Sequence, residues 1–162
     1  MLTNEEINRL IEVAVETEKN AFIFKSKHAF GAAVLTTDGE IFGGCNIDGV
    51  ISGLGKCAEI VALDQAVVHG KYNIKAIATV DEKEFVFPCG MCLQYLSQFY
   101  QTIGKDIEVV AAKENGKDKI LKLLVYALAF SPFFFLPLEN PDIFWHLNAG
   151  KRLFENGAFL TA

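Results

Sequence analysis

Two short cysteine-containing stretches constrain this chain more than any other feature. They have the sequences C-A-E at Cys57–Glu59 and P-C-G-M-C at Pro88–Cys92, and each stands directly before an apolar run with helical periodicity. Thiolates are the ligands that zinc and other soft divalent metals prefer, in tetrahedral geometry. If the three thiols bind one metal, the two helix starts must face each other, which fixes the centre of the fold.

The number of ligands favours a catalytic zinc. Cys57, Cys89 and Cys92 supply three, whereas a structural zinc is normally closed by four. The open position would hold a water that the metal acidifies toward a neutral pKa. Glu59 stands too close in sequence to Cys57 to bind the same metal easily, but it can reach that water and transfer protons. The positive end of each helix also favours thiolate over thiol.

Other interpretations of these residues remain open. Taken alone, the C-x-x-C at 89–92 is compatible with a redox motif, half of a structural metal site, or a chance occurrence. A non-catalytic zinc-binding module that serves assembly is a further hypothesis, although a structural site has no need of Glu59. Cys45 matches no ligand pattern and is interpreted as a small buried hydrophobic residue.

Apolar periodicity predicts helices and strands in alternating order. The first helix, at about 4–19, begins with Thr3 as a capping residue and acids in its first turn. An Asp38-Gly39 hairpin turn joins strands at 32–35 and 40–46. A glycine-rich loop at 47–56 is followed by a helix at 57–69, a strand at 74–80, a helix at 88–100 and a strand at 107–112. This alternation predicts a layered α/β fold with some antiparallel pairing.

Charge and cysteine content limit the classes of function. The 162 residues carry a net charge of −5, which argues against nucleic-acid binding because that needs a basic surface. A small-molecule substrate is the more natural partner. The four cysteines, with no targeting segment at Met1–Arg9, predict reduced thiols and a cytoplasmic protein.

The chain changes in character near residue 120. Residues 121–162 contain half of the 14 phenylalanines and carry no net charge, whereas the net negative charge lies in 1–120. We therefore expect a zinc-binding domain at 1–120 and an apolar extension at 121–162. The extension has three interpretations: a helix–loop–helix packed on the domain or in an oligomer interface, a segment fused from elsewhere, or, less favoured because of Pro132 and Pro137, a membrane anchor.

The order and spacing of these motifs resemble the cytidine deaminase superfamily, in its small three-cysteine, homo-oligomeric branch. The zinc-deaminase signature combines such ligands with a glutamate that acts as acid and base. The stretches at Gly31–Leu35 and Gly44–Asp48 resemble the same family's strand–turn–strand entry, so the resemblance covers about residues 5–120. It implies a three-layer α/β/α fold with a mixed sheet, a Zn²⁺ cofactor, a nucleoside substrate and a homotetramer.

The resemblance also implies substrate contacts. Asn46 and Asp48 match the family's Asn and Glu, which hold the ribose hydroxyls, and Asp48 is one methylene shorter. Ala58 matches the residue whose backbone contacts the pyrimidine. His28 stands where the family usually has a phenylalanine against the base.

Two deaminase hypotheses follow. The first is conversion of cytidine or deoxycytidine to uridine or deoxyuridine in pyrimidine salvage, with Glu59 as the catalytic residue. The second is the same chemistry on an antibiotic of the blasticidin S type. The family's arginine after C-A-E is replaced here by Ile60, and an aliphatic residue at that position resembles blasticidin S deaminases.

Overall fold

A computed structural model describes residues 1–51 and 53–113 and the backbone of 119–124. In chain order its helices and strands are α1 (Asn4–Glu18), β1 (Gly31–Thr36), β2 (Ile41–Cys45), α2 (Ala58–Val68), β3 (Ile74–Asp81), α3 (Gly90–Ile103), β4 (Glu108–Lys113) and β5 (Lys119–Leu124). The predicted helix and strand order from α1 to β4 is confirmed.

The strands form one sheet in the order β2-β1-β3-β4-β5. β1 pairs antiparallel with both β2 and β3, β3 pairs parallel with β4, and β4 pairs antiparallel with β5. The predicted mixed sheet is therefore confirmed. The β1–β2 connection is the expected Asp-Gly turn, where Gly39 has a positive φ of 89° that a residue without a Cβ adopts most easily.

Alternate side chains of the sheet enter two separate cores. Ala32 and Val34 of β1 pack in a cluster with residues of α2 and α3, whereas Ala33 and Leu35 pack in a second cluster with α1. Because successive strand residues point to opposite faces, α1 covers one face of the sheet and α2 with α3 covers the other. The three-layer α/β/α arrangement is confirmed.

Two features differ from the sequence prediction. Helix α3 runs to Ile103 and ends at Gly104, which has a left-handed φ of 67°, so the predicted end at residue 100 was too early. Strand β5 at Lys119–Leu124 was not predicted. Its residues alternate poorly in polarity, and its strand conformation follows from pairing along β4.

The close approach of α2 to the sheet depends on Gly44 in β2. A Cβ at this position would lie 2.4 Å from the backbone nitrogen of Ala62 and 2.5 Å from the carbonyl oxygen of Ala58. Both distances are far below van der Waals contact, so only glycine fits here. Gly44 thereby allows the first turn of α2, which carries the C-A-E motif, to lie directly on β2.

The expectations for the C-terminal extension concern residues from 125 onward, which lie outside the described part of the chain. The boundary expected near residue 120 stays a prediction, and the described sheet extends to Leu124. None of the helices in the described part of the chain has the length and apolar character needed to cross a membrane.

Candidate active site

Cys57 and Cys89 occupy the N-cap positions of α2 and α3, as the sequence predicted. Their backbones are extended, and neither side chain makes the capping hydrogen bond that Ser or Asp would make at this position. The sulfurs are thus left available for other partners, next to the unpaired N–H groups of a helix start. Cys92 lies one turn into α3 and is fully buried.

The three sulfur atoms converge at one point. The Cys57 and Cys89 sulfurs are 3.9 Å apart, and the Cys89 and Cys92 sulfurs are 3.4 Å apart. All three lie within 4.8 Å of one another, and this is the one group of three or more potential metal ligands found among the described residues. Two thiolates bound at about 2.3 Å to a tetrahedral zinc would lie about 3.8 Å apart. The cluster therefore fits zinc, and its Cys89 side is open to solvent.

Electrostatics within the cluster favour a bound cation. Contacts with Cys57 and then Cys92 lower the pKa of the Cys89 thiol to about 2, with further help from the backbone N–H groups of Cys92 and Met91. The same Cys89 contact raises the pKa of Cys57 to about 11, and contact with Cys57 and then Cys89 raises the pKa of Cys92. A divalent cation would supply the positive charge that three neighbouring thiolates need.

Glu59 lies in the first turn of α2, and only 7% of its surface is exposed. Burial raises the pKa of its carboxyl, and the charge of Cys89 raises that pKa further. A carboxyl with a raised pKa exchanges protons more readily near neutral pH than an ordinary glutamate does. The structure thus places a buried carboxyl with a raised pKa beside the sulfur cluster.

A polar contact that the sequence did not reveal ties the two cysteine-bearing helices together. The Tyr95 hydroxyl of α3 donates a hydrogen bond of 2.9 Å to Asp64 of α2, and Lys56 makes a 2.7 Å ion pair with the same carboxylate. Asp64 thereby connects the residue before Cys57 with the helix that carries Cys92. The sequence offered no signal for this contact. The three residues are separated along the chain, and residues of these types are common on protein surfaces.

Backbone hydrogen bonds close the loop that leads into Cys57. Ile47 and Lys56 exchange N–H···O bonds of 2.9 Å, and Phe22 lies on the other side of Ile47, pairing with Asn46 and Asp48 through bonds of 3.1 and 2.8 Å. The glycine-rich loop is thus pinned at its base. It holds the strand end that carries Asn46 and Asp48 next to the first metal ligand.

The side chains of Asn46 and Asp48 contact the segment before β1. Asn46 is buried; its amide accepts a 2.8 Å bond from the Phe30 N–H and donates a 2.9 Å bond to the His28 carbonyl. One oxygen of Asp48 accepts the N–H groups of Phe24, Lys25 and Ser26. Sequence patterns did not indicate these contacts.

The two other predicted substrate residues lie on different elements. Ala58 is the first residue of α2 and is buried in the core shared with α3. The exposed His28 ring stacks on Phe30, with ring centroids 6.3 Å apart. Phe30 in turn packs against the same core cluster as Ala58.

Comparisons with known proteins agree with this architecture. The family model described as the cytidine and deoxycytidylate deaminase zinc-binding region matches residues 4–105. A cytidine deaminase of Sporosarcina psychrophila is 37% identical over 95 residues, covering 58% of this chain and 70% of that protein.

Two further similarities come from another relative and a solved structure. A blasticidin-S deaminase of Bacillus cereus is 36% identical over 100 residues, covering 56% of this chain and 70% of that protein. The crystal structure of cytidine deaminase from Burkholderia pseudomallei superposes with a TM-score of 0.67 at 31% identity, covering 78% of this chain and 96% of that one. Together with the convergent sulfurs and the buried Glu59, these matches establish that the chain belongs to the zinc-dependent cytidine and deoxycytidylate deaminase family.

Proposed function

We propose that this protein is a hydrolytic deaminase that converts cytidine or deoxycytidine to uridine or deoxyuridine and ammonia. The observation that carries the proposal is the buried carboxyl of Glu59 beside three convergent cysteine sulfurs. A site that only held metal for stability would not need an acid with a raised pKa next to its ligands. Such a pairing is what acid–base chemistry at a metal requires.

Cys57, Cys89 and Cys92 would hold the zinc, which lowers the pKa of a bound water toward neutrality. Glu59 accepts a proton from the attacking water and delivers it to the ring nitrogen of the pyrimidine. It then assists proton transfer to the departing amine, so that oxygen replaces nitrogen at C4 and ammonia leaves. One carboxyl acts as base and then as acid, which suits a group whose pKa burial has raised.

The base is proposed to lie against the start of α2. The backbone of Ala58 would contact the pyrimidine edge, and the His28 ring would form one wall. The stacking of His28 on Phe30 supports this role because Phe30 packs against the core cluster that contains Ala58. Asn46 keeps one amide hydrogen and one lone pair beyond its contacts with the segment before β1, so it remains able to bind a sugar hydroxyl.

A direct test is a deaminase assay on cytidine, 2′-deoxycytidine and blasticidin S, with metal content measured on the same sample. We expect one zinc per chain and a loss of the cytidine absorbance on turnover. A chelator should abolish this turnover, and added zinc should restore it. A fully zinc-loaded protein that turns over none of the three would favour the non-catalytic assembly module.

Deamination of a blasticidin S-type antibiotic is the second candidate function. Ile60 follows Glu59 in this chain, and a blasticidin-S deaminase is among its relatives. The ratio of kcat/KM for blasticidin S and cytidine separates the two candidates. A ratio well above one would make the antibiotic the preferred substrate.

We further propose a cytoplasmic homotetramer that acts in pyrimidine salvage. Large apolar side chains are exposed on the loops around the site, namely Phe22, Phe24, Val50, Ile51 and Leu54, and exposed apolar patches are typical of interfaces. A reducing compartment suits three thiols that must stay free to bind metal. Light scattering should give four chains per particle at micromolar concentration, and an active monomer would contradict the tetramer.

A further inference from the structure

Two side chains hold the segment 24–30, which leads into β1. The carboxylate of Asp48 accepts three consecutive backbone N–H groups, from Phe24 at 3.0 Å and from Lys25 and Ser26 at 2.7 Å. These bonds lower the pKa of Asp48 to about 2. The carboxylate thus acts as the anion in a nest formed by the loop's own amides.

Asn46 holds the other end of the same segment. It accepts from the Phe30 N–H and donates to the His28 carbonyl. Between the two anchored parts stands Lys27, whose φ of 62° is the one positive value found at a non-glycine residue in the described chain. A strained backbone of this kind persists only where surrounding contacts determine it. Three hydrogen bonds to Asp48 before Lys27 and two to Asn46 after it provide those contacts.

The anchored segment is coupled to the first metal ligand. Ile47 lies between Asn46 and Asp48 and pairs through its backbone with Lys56, the residue before Cys57. At the far end, Phe30 packs in the core cluster that contains Ala58. The residues that anchor the segment of His28 are thus linked to the first metal ligand through the backbone pairing of Ile47 and Lys56.

We propose that Asp48 is a positioning residue, whose carboxylate fixes segment 24–30 and thereby the His28 wall of the base pocket, instead of selecting the substrate by its 3′-hydroxyl. This inference rests on the proposed function for its kinetic consequence. All three amide donors bind the same oxygen, Oδ2 of Asp48, which holds the carboxylate against the loop, and its side chain is one methylene shorter than the glutamate at the matching family position. In such a deaminase, replacing Asp48 lowers kcat/KM by the same factor for nucleosides with and without a 3′-hydroxyl.

The two roles differ in their response to the sugar. A direct charged hydrogen bond to the 3′-hydroxyl would favour 2′-deoxycytidine over 2′,3′-dideoxycytidine by roughly 10- to 100-fold, and Asp48→Asn would remove that preference. A positioning role predicts that Asp48→Asn lowers kcat/KM for both substrates by the same factor. We expect on the order of 10-fold, since neutral hydrogen bonds replace charge-assisted ones.

The experiment measures kcat and KM of the wild type, Asp48→Asn and Asp48→Ala on both nucleosides. Glu12→Gln, an exposed residue of α1, removes one negative charge elsewhere and serves as the matched control. We expect the lower kcat/KM of the Asp48 variants to come from a higher KM. Their kcat should stay within about threefold of the wild type and their zinc content should not change, because no zinc ligand and no acid–base group is altered. A preference for 2′-deoxycytidine that collapses in Asp48→Asn would overturn the proposal.

Hydrogen exchange of the backbone amides gives a readout independent of activity. The amides of Phe24, Lys25 and Ser26 should be protected in the wild type and in Glu12→Gln and should exchange faster in Asp48→Ala. Equal exchange in all three proteins would overturn the anchoring role, even if the wild type deaminates cytidine. If the wild type deaminates neither nucleoside, the proposed function fails, and amide protection alone decides the role of Asp48.

Discussion

At the scale of single residues, Glu59 is subject to two opposing effects. It stands in the first turn of α2, where the helix dipole favours a negative charge, but it is buried beside Cys89, and burial raises the pKa of its carboxyl. The desolvation of the carboxylate outweighs the helix effect. The result is a carboxyl whose pKa lies above that of an exposed glutamate.

Replacing Glu59 by glutamine should separate metal binding from proton transfer. Glu59→Gln keeps the shape of the side chain and leaves all three sulfurs in place, so we expect zinc to be retained. Turnover should fall by at least about 100-fold, the usual scale for general acid–base catalysis. Steady-state kinetics with metal analysis on the same preparation measure both. The exposed Glu82→Gln is the control, and near-normal turnover of zinc-loaded Glu59→Gln would remove Glu59 from the mechanism.

Glu6 shows a different balance at the N-terminus of α1. Its carboxylate makes a 2.5 Å ion pair with Lys75 of β3 and a capping-box bond to Thr3. The hydrogen bond with Lys75, followed by that with Thr3, lowers the pKa of Glu6 from its ordinary 4.5 to about 2. A lowered pKa in the folded state stabilises the protein above pH 4.5, and this stabilisation is lost as the pH falls toward 2.

Glu6→Gln should therefore destabilise the protein in a pH-dependent way. At pH 7 we expect the free energy of unfolding to fall by about 0.5–1 kcal/mol, because the pair is partly exposed and solvent screens it. Urea unfolding at pH 7 and at pH 3 should show a smaller difference between wild type and variant at the lower pH. Glu5→Gln, in the same helical turn, is the control. If the difference in the free energy of unfolding between wild type and Glu6→Gln does not change with pH, the lowered pKa of Glu6 does not contribute to stability.

At the scale of elements, the site depends on how closely α2 approaches β2. The first turn of α2 passes over Gly44 at a distance that leaves no room for a Cβ. The contact of Asp64 with Tyr95 then sets α2 against α3. The sulfurs of Cys57 and Cys89 are 3.9 Å apart. This separation depends on the packing of α2 on β2 and on the contact between α2 and α3.

Gly44→Ala should displace the start of α2 and disrupt the sulfur cluster. The added methyl group would overlap backbone atoms of Ala58 and Ala62, which cannot move independently of the helix. We expect destabilisation of about 1–3 kcal/mol, the usual cost of overpacking, with weaker zinc affinity. Thermal unfolding and zinc competition with a chelator measure these effects. Gly90→Ala, where a Cβ meets nothing within 4 Å, is the control, and equal behaviour of the two variants would contradict this packing argument.

At the scale of the whole molecule, the described structure contains the complete candidate site. The three sulfurs, Glu59 and the sheet lie before residue 125. The residues beyond have a different composition, with an uncharged run that includes Phe133–Phe135. None of the three cysteines, and no acid–base residue named for the site, lies past that point.

Truncation after Ala129 should leave a folded, zinc-loaded protein. It should also raise solubility, because an uncharged aromatic run promotes association when it has no partner. Metal analysis and the soluble yield of truncated and full-length chains measure the two effects. An insoluble or zinc-free product would show that the C-terminal segment belongs to the deaminase core.

The sequence by itself determined the chemistry and the order of elements up to β4. Cysteines before apolar helical runs and an Asp-Gly turn between strands are local signals, because caps, turns and periodicity depend on neighbouring residues. Strand β5 and the last turn of α3 were not readable in this way, since pairing with β4 and the end at Gly104 override weak local preferences.

Only the tertiary structure decided how the parts of the site meet. Asp64 with Tyr95, and Asp48 with the amides of Phe24–Ser26, lie far apart along the chain. Such contacts follow from packing, and no periodicity or spacing encodes which amide a carboxylate will accept. The sequence could therefore identify Asp48 by its position in a motif, whereas its hydrogen-bond partners, and with them its proposed role, depend on the folded loop around it.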